Sequence, residues 1–543
     1  MRWEILNTKK QKDTDGIIDA LLKNRGIKDG KEFFSPPDPI KISLKSLEIK
    51  PQEVEKAVKR IQKAHKSGEQ VFVYGDYDAD GICATAVLWE SLHSYGLNVL
   101  PYIPDRFEEG YGINPESITK LKEKYPGLKL IVTVDNGIVA YAGVDKAKKL
   151  GIDVIVLDHH QKGTKKLNSL ATVHTTKLSG SGIAWIFSRE LLKDKNLNTL
   201  ELAAIGTIAD QLPLTGPNRS IVKFGLEDLN VTRRPGLRAL FEEAGLTAGG
   251  MLIKPLSTYE VGFIIAPRIN AMGRLKHGIE SLRLLCTKDR KKAEELAKQV
   301  ASTNLDRQKI VEEVVIATRK GVIDQKIIVV SGENYHEGVI GLAAGRLVEE
   351  FYRPAIVMSV KGSITKASAR SVSGFNIIEA IRSLEGLYLE GGGHPMAAGF
   401  SIQTENIEKF TEAINEYAKD LLTGELLDRK LKVDLEIGFD KINYDLVNKL
   451  KEFEPVGLGN PTPTFAAKGA ELVEAKTVGR EAKHLKLKVK QDGQVFDSIY
   501  FGGGEMYSKL ASGSKMDFVF QVEENVWNSH TSLQLKIKDL NVI

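Results

Sequence analysis

The stretch VFVYGDYDADG, residues 71–81, drives an apolar run into three carboxylates at alternate positions, Asp76, Asp78 and Asp80. Carboxylates a few ångströms apart raise one another's pKa unless positive charge sits among them, and a metal ion is the simplest such charge. Two more apolar runs end in chemistry: LIVTVDNG in Asp135, and DVIVLDHH in Asp158, His159 and His160. Asp210, in AAIGTIADQLPL, follows a small, apolar helical run and can close the ring. One aspartate after a strand is commonly an Asx turn or a helix cap. Six acids and two adjacent histidines at such positions point instead to a shared site. D-x-D-x-D-G also opens the EF-hand calcium loop, but that loop needs a later bidentate Glu where this chain has Val87, and here a strand precedes it. Many carboxylates with one or two imidazoles suit Mn²⁺ well and Mg²⁺ passably, whereas zinc would want fewer acids and more His or Cys. Such a set can neutralise two divalent ions, the machinery for in-line attack of water on phosphorus. Hydrolysis of a phosphoester or phosphoanhydride is the leading reaction class.

These residues need a scaffold that brings distant positions together. From about residue 51 to 285, helix-like segments (EVEKAVKRIQKAHKSG, ICATAVLWESLHSYG, PESITKLKEKY) alternate with runs that are apolar throughout. That alternation predicts a doubly wound α/β domain with a parallel sheet, whose strand C-termini share one edge where ligands bind. Residues 286–325 predict a connecting helix, free of Pro and Gly from 289 to 320. A second α/β unit is expected over 326–425, with the glycine-rich LEGGGHPMAAGF. From 426 to 543, alternating strands such as HLKLKVK and SLQLKIK predict a small β-barrel. Residues 1–50 read as an ordered extension leading into the first domain.

The totals exclude several classes. At 543 residues the chain is too long for one core. Two cysteines, Cys83 and Cys286, are too few for a disulfide framework or a Cys-based zinc site. The net charge of +5 is too weak to establish a polyanionic partner by itself. No apolar stretch is long enough to span a membrane and the start, MRWEILNTKKQKD, lacks the apolar region of a signal peptide, so a cytoplasmic protein without membrane partners is expected. No GxGxxG or Walker A loop follows any strand.

GDYDADG, DNG, DHH and GTIAD, in that order, resemble the DHH phosphoesterases, and GGGHPMAAGF resembles the GGGH motif of their DHH-associated domain. PRINAMGR (267–274) and EPVGLGNPTPTF (454–465) are similar to the RecJ branch, single-strand-specific 5′ to 3′ exonucleases acting in DNA repair and recombination. The resemblance implies that Asp76, Asp78, Asp80, Asp135, Asp158, His159, His160 and Asp210 hold Mn²⁺ or Mg²⁺, two ions in all, with His394 near the scissile phosphate. It further implies that Ser368 and Arg370, in KASARS, hold the 5′ phosphate with help from Arg106, a role suited to the bidentate guanidinium. Arg268, Asn270 and Arg274 are implied to contact DNA, and helicases and single-strand-binding proteins are implied partners. An OB-fold is the implied barrel type. Lys486, Lys488 and Lys490 would form its basic stripe, with Tyr500, Phe501 and Trp527 as stacking platforms. In small-substrate relatives a His stands where this chain has Tyr74, a departure that favours a polymer substrate; Met272 stands where a smaller residue is expected. The rival readings are a hydrolase of dinucleotides or short oligoribonucleotides, which needs no extra barrel, and an inactive replication scaffold, which would have lost metal ligands.

Overall fold

A computed structural model describes residues 1–193, 198–319, 325–527 and 530–543. After β1 (Arg2–Asn7) and the helices Thr14–Asn24 and Gly30–Phe34, the first α/β unit holds β2 (Gln70–Tyr74), β3 (Asn98–Tyr102), β4 (Leu128–Val134), β5 (Asp153–Asp158) and β6 (Ala171–His174). They form a wholly parallel sheet in the order β3-β2-β4-β5-β6. Alternate residues feed two cores, which is why these strands are apolar at every position. Phe72, Tyr74, Ile131 and Val156 pack with Ile118, Leu121 and Val144 from helices on one face. Val71, Val73, Val132 and Leu157 pack on the other face with the helices Pro51–Lys66, Ala79–Ser94 and Gly180–Leu192. The winding reverses between β2 and β4, so a crevice opens beyond their C-termini. Further helices and a short ribbon, β7 (Thr247–Ala248) with β8 (Met251–Leu252), complete this unit.

The helix Arg290–Arg319 spans about 45 Å at 1.5 Å per residue. Its first half buries Ala293, Leu296 and Val300 in the core of the catalytic unit. Its second half buries Val311, Val314 and Val315 against Ile328, Ile340 and Leu347 of the next unit. One rod therefore belongs to two cores, and it fixes the units relative to each other.

The second unit has β9 (Ile328–Gly332), β10 (Ala355–Lys361), β11 (Ile364–Arg370), β12 (Glu390–His394) and β13 (Ala397–Gln403), in the order β12-β13-β11-β10-β9. Only β9 and β10 run parallel. The last unit follows with β14 (Lys430–Glu436), β15 (Phe465–Val478), β16 (His484–Gln491), β17 (Gln494–Tyr500), β18 (Lys515–Trp527) and β19 (His530–Val542). Five of these close a barrel, β15-β16-β17-β19-β18, sealed by β15 against β18 and antiparallel except at β17–β19. This is the OB topology.

The N-terminal segment differs from its expected place. β1 adds to β14 in parallel, and Ile17, Ile18, Leu21 and Phe33 enter the barrel core beside Leu435, Phe453 and Phe520. Asn24 Nδ2 donates to Asp434 O across 410 residues, and Arg25 pairs with Asp434 at 2.9 Å. Local sequence pattern carries no sign of pairing at such range. Arg219 rivets the joint between catalytic unit and barrel. Its buried guanidinium donates to the carbonyls of Phe33, Glu452, Phe453, Glu454 and Pro455, and stacks 3.9 Å from the Phe33 ring.

Among the described residues, no helix is long and apolar enough to cross a membrane. Cys83 and Cys286 are free thiols, the first buried and the second partly so.

Candidate metal centre

The acids sit where the sheet ends. β2 stops at Tyr74, and Asp78 then caps the helix Ala79–Ser94 by accepting from Gly81 N at 2.9 Å. Asn270 Oδ1 accepts from Ala79 N at 2.8 Å and holds the same turn from outside. Asp80 lies in the first helical turn, with its carboxylate against the start of a second helix: it accepts from Gly180 N at 2.6 Å and Ser181 N at 3.1 Å. The positive end of the Gly180–Leu192 dipole thus steadies an acid in the crowd. Gly180 is required here, because a Cβ at that position would lie 2.5 Å from the Asp135 side chain. Asp135 itself, just past β4, adopts the left-handed φ of 61°, a sparsely populated conformation that clusters at functional sites.

Three triplets of ligand atoms lie within 4.8 Å of one another: Asp76, Asp78 and Asp135; Asp80, His159 and Asp210; and Asp135, His159 and His160. They overlap at Asp135 and His159. His159 Nε2 stands 3.1 Å from Asp135 Oδ1 and 3.6 Å from Asp210 Oδ2. Asp158 stands apart from the triplets. Its Oδ1 accepts from His160 Nδ1 at 2.8 Å and from His160 N at 3.0 Å, while Oδ2 accepts from Ile138 N at 2.8 Å, so it fixes the imidazole that follows it.

The electrostatics fit a cation. Burial and Asp78 hold Asp76 well above the usual carboxylate range. Burial, then Asp80 and Asp78, do the same to Asp135. Asp80 is raised by burial, against the opposing effect of His159. Asp210 is pushed up to about 8 by burial, Asp80 and Asp78. Asp158 goes the other way: despite burial, its hydrogen bonds with His160 lower it, and they raise His160 in turn. Among the described residues, Asp76 Oδ1 and Asp135 Oδ1 are buried without a hydrogen-bond partner. Orphaned carboxylate oxygens in a like-charged cluster are the donors that a divalent ion satisfies.

Facing the acids is a basic cluster. Arg274 donates to Gly338 O at 3.3 Å, joining the first α/β unit to the second, and Phe107 meets His336 edge-on at 5.6 Å. Burial, then the charge of Arg106, lowers both Arg274, to about 10, and Arg370. Arg106, which stacks 4.8 Å from the Tyr77 ring, is also close enough to draw Asp76 down. Ser368 and Arg370 lie on β11 at the mouth of the helix Ile340–Phe351; a Cβ at Gly341 would fall 2.9 Å from Ser368 Oγ and 3.1 Å from Arg370 Nη2. Guanidiniums, a hydroxyl and a helix N-terminus make an anion cradle.

Other positions fall elsewhere. Arg268 spends Nη1 on Ile264 O at 2.8 Å. His394 ends the exposed strand β12, and among the described residues no hydrogen bond ties it to the acids. Leu485, Leu487 and Val489 point into the barrel and the lysines outward, as expected, but Lys488 has Glu474 and Asp497 as cross-strand neighbours and Lys490 faces Glu471. The stripe is therefore interleaved with acids. Phe501 is exposed beside His484, Tyr500 packs against the barrel core, and the side chain of Trp527 lies outside the described residues.

Sequence reasoning missed a network behind the site. The Tyr74 hydroxyl bonds Gly112 O at 3.2 Å and Ser117 Oγ at 3.3 Å, away from the acids. Glu109 accepts from Tyr102, Ser117 and the Asp105 amide, tying down the loop that carries Arg106 and Tyr111. Tyr111 then donates to Asp135 O at 3.0 Å and lies 3.3 Å from His160 Nδ1. The only signal in the sequence was Tyr74 itself. SGSG, a capping serine with small residues, likewise marked the helix that meets Asp80.

A parallel sheet crested by these acids, joined by one helix to a facing α/β unit, defines a protein of the DHH class. Family models agree: "DHH family, N-terminal domain" matches residues 70–207, "DHHA1 domain" 324–420 and "RecJ OB domain" 433–539. The single-stranded-DNA-specific exonuclease RecJ of Bacillus subtilis (strain 168) is 34% identical, covering 100% of this chain and 71% of its own. That of Escherichia coli (strain K12) is 30% identical, covering 90% of each. The solved RecJ of Thermus thermophilus in complex with Mn²⁺ superposes with a TM-score of 0.83 at 29% identity, covering 99% of this chain and 79% of the other. The chain belongs to the RecJ family.

Proposed function

We propose that the chain is a metal-dependent exonuclease that hydrolyses phosphodiester bonds of single-stranded DNA from the 5′ end. One observation carries the reading: crowded acids and crowded guanidiniums face each other, so a chain end can set its terminal phosphate among the arginines while its first diester reaches the acids. The names and solved metal complexes of the relatives support it.

Asp76, Asp78 and Asp135 would hold one ion, and Asp80, His159 and Asp210 the other, with His160 completing the set. Bound there, Mn²⁺ or Mg²⁺ supplies a water nucleophile of lowered pKa and neutralises charge on the leaving oxygen. Asp158 keeps His160 oriented through Nδ1, and Tyr111 braces the same ring. Arg370 and Arg106 grip the 5′ phosphate, with Ser368 donating beside them; binding energy at that remote group positions the reacting diester. Asn270 acts through the turn it holds at Ala79. His394 serves beside the scissile phosphate. The same reading assigns the protein to DNA repair and recombination in the cytoplasm, with a helicase and a single-strand-binding protein as partners.

Incubating the protein and Mn²⁺ with long single strands blocked at one terminus or the other tests this. Digestion is expected only when the 5′ end is free, with a lower KM when that end is phosphorylated. Attack from the 3′ end, or activity confined to dinucleotides, would refute it.

A further inference from the structure

Two exposed aromatic rings outside the sites above are stacked on each other. Tyr259 is 59% exposed and Phe263 71%, with ring centroids 5.0 Å apart and planes inclined by 31°. Their spacing of four residues puts them on one helical face. Phe263 lies in a π-helical turn, Val261–Ile265, that ends with Ala266 N–H donating to Val261 O. Such turns are frequent at functional sites. Large apolar rings held in water as a pair, rather than folded into the core beside them, mark a surface built for contact.

Their position suggests the contact. Gly262, between the rings, packs on Ile208, two residues before Asp210 of the metal centre. Thr258 donates to Val456 O at 2.7 Å, in the segment EPVGLGN that leads to the barrel, where Leu458 is also exposed. The helical segment that bears the rings therefore touches both the helix leading to Asp210 and the segment leading to the barrel. Arg268 donates to Ile264 O, the carbonyl next to Phe263, and neither it nor the nearby Arg307 has an acidic partner among the described residues; there too Arg268 Nε is buried and unpaired, and its charge, after burial, lowers Arg307. Aromatic faces beside uncompensated guanidiniums match the needs of single-stranded nucleic acid, in which every base offers a stacking face and every linkage a negative charge.

We propose that Tyr259 and Phe263 form a ledge on which bases of the substrate, 3′ of the scissile phosphate, stack as the strand passes from the metal centre towards the barrel. The inference rests on the exonuclease reading and adds the place where the uncut strand is gripped. It adds a stacking platform on the catalytic unit to the one that the sequence suggested on the barrel.

The test uses full-length protein with 5′-phosphorylated strands carrying 2-aminopurine at successive positions, bound in EDTA so that nothing is cut. Fluorescence quenching is expected at one or two positions near the 5′ end, lost in Tyr259→Leu/Phe263→Leu and retained in Phe263→Trp. Leucine keeps apolar bulk, and thermal melting verifies that the variant is folded. With Mn²⁺, the KM for a long strand should rise about ten-fold for each ring removed, and the ratio of long-strand to dinucleotide cleavage should fall accordingly. Unchanged quenching and unchanged long-strand KM in the folded double variant would overturn the ledge and leave these rings to a protein partner. If the wild type itself cuts no single strand, the exonuclease reading fails first and the ledge loses its stated occupant with it.

Discussion

The acidic crest and the arginine wall are opposite in sign and alike in design. In each, like charges are brought together at a junction of elements and partly buried, and their pKa values move towards neutrality: Asp210 up to about 8, Arg274 down to about 10. Neither cluster is balanced from within. Arg219 makes an instructive contrast: it too is buried and shifted down to about 10, but five carbonyls satisfy it. Crowding of like charges, rather than burial, distinguishes a binding site from a rivet. One crest awaits cations and one wall awaits an anion, and a phosphorylated chain end in the presence of metal provides both.

The comparison breaks most sharply at Asp135, which belongs to two of the three triplets. Asp135→Asn should reduce Mn²⁺-dependent cleavage below detection, while binding of a single strand, measured by anisotropy, persists. On the opposite wall, Arg370→Ala should raise KM for 5′-phosphorylated strands by roughly 10- to 100-fold, the worth of one or two charge-assisted hydrogen bonds. The same variant should barely alter KM for 5′-hydroxyl strands. Arg370→Lys should recover only part of the loss, because an ammonium lacks the fork. Persistence of the phosphate preference in Arg370→Ala would move the anion site elsewhere.

The smallest effect is on stability. Asp76, Asp80, Asp135 and Asp210 have pKa values raised above those of the unfolded chain, so between about pH 4 and pH 8 the metal-free folded state binds more protons than the unfolded state. These four acids therefore contribute stability that is lost as pH rises through that window, opposed only in part by His159, whose pKa burial lowers. Melting of the metal-free protein should drop from pH 5 to pH 8, and saturating Mn²⁺ should flatten the slope. A melting temperature indifferent to pH and metal would mean that the acids are not the coupled cluster described above.

The crest was legible because each acid ends a run whose apolar character fixes it as a buried parallel strand, and parallel strands must emerge together. The doubly wound sheet, the long helix and the alternation of β16 followed from the same periodicities. The sequence did not reveal that Asp158 serves His160, that Asn270 holds the Ala79 turn, or that Glu109 anchors the loop behind Arg106, since a carboxylate or amide looks the same whether its partner is an ion, a ring or an amide. Lys488 looked like a free cation because Glu474 and Asp497 lie on neighbouring strands. The pairing of β1 with β14 had no local trace.

That last pairing has a consequence for biosynthesis. Residues 1–34 leave the ribosome long before the barrel strands do, yet Ile17, Leu21 and Phe33 can be shielded from water only after the strands beyond residue 430 have been made. During elongation the leading helix and strand must wait as an unpartnered, partly apolar segment while the catalytic unit folds behind them, a state exposed to chaperones and to mispairing. Closure of the barrel must therefore wait for strands made long after the segment that it encloses.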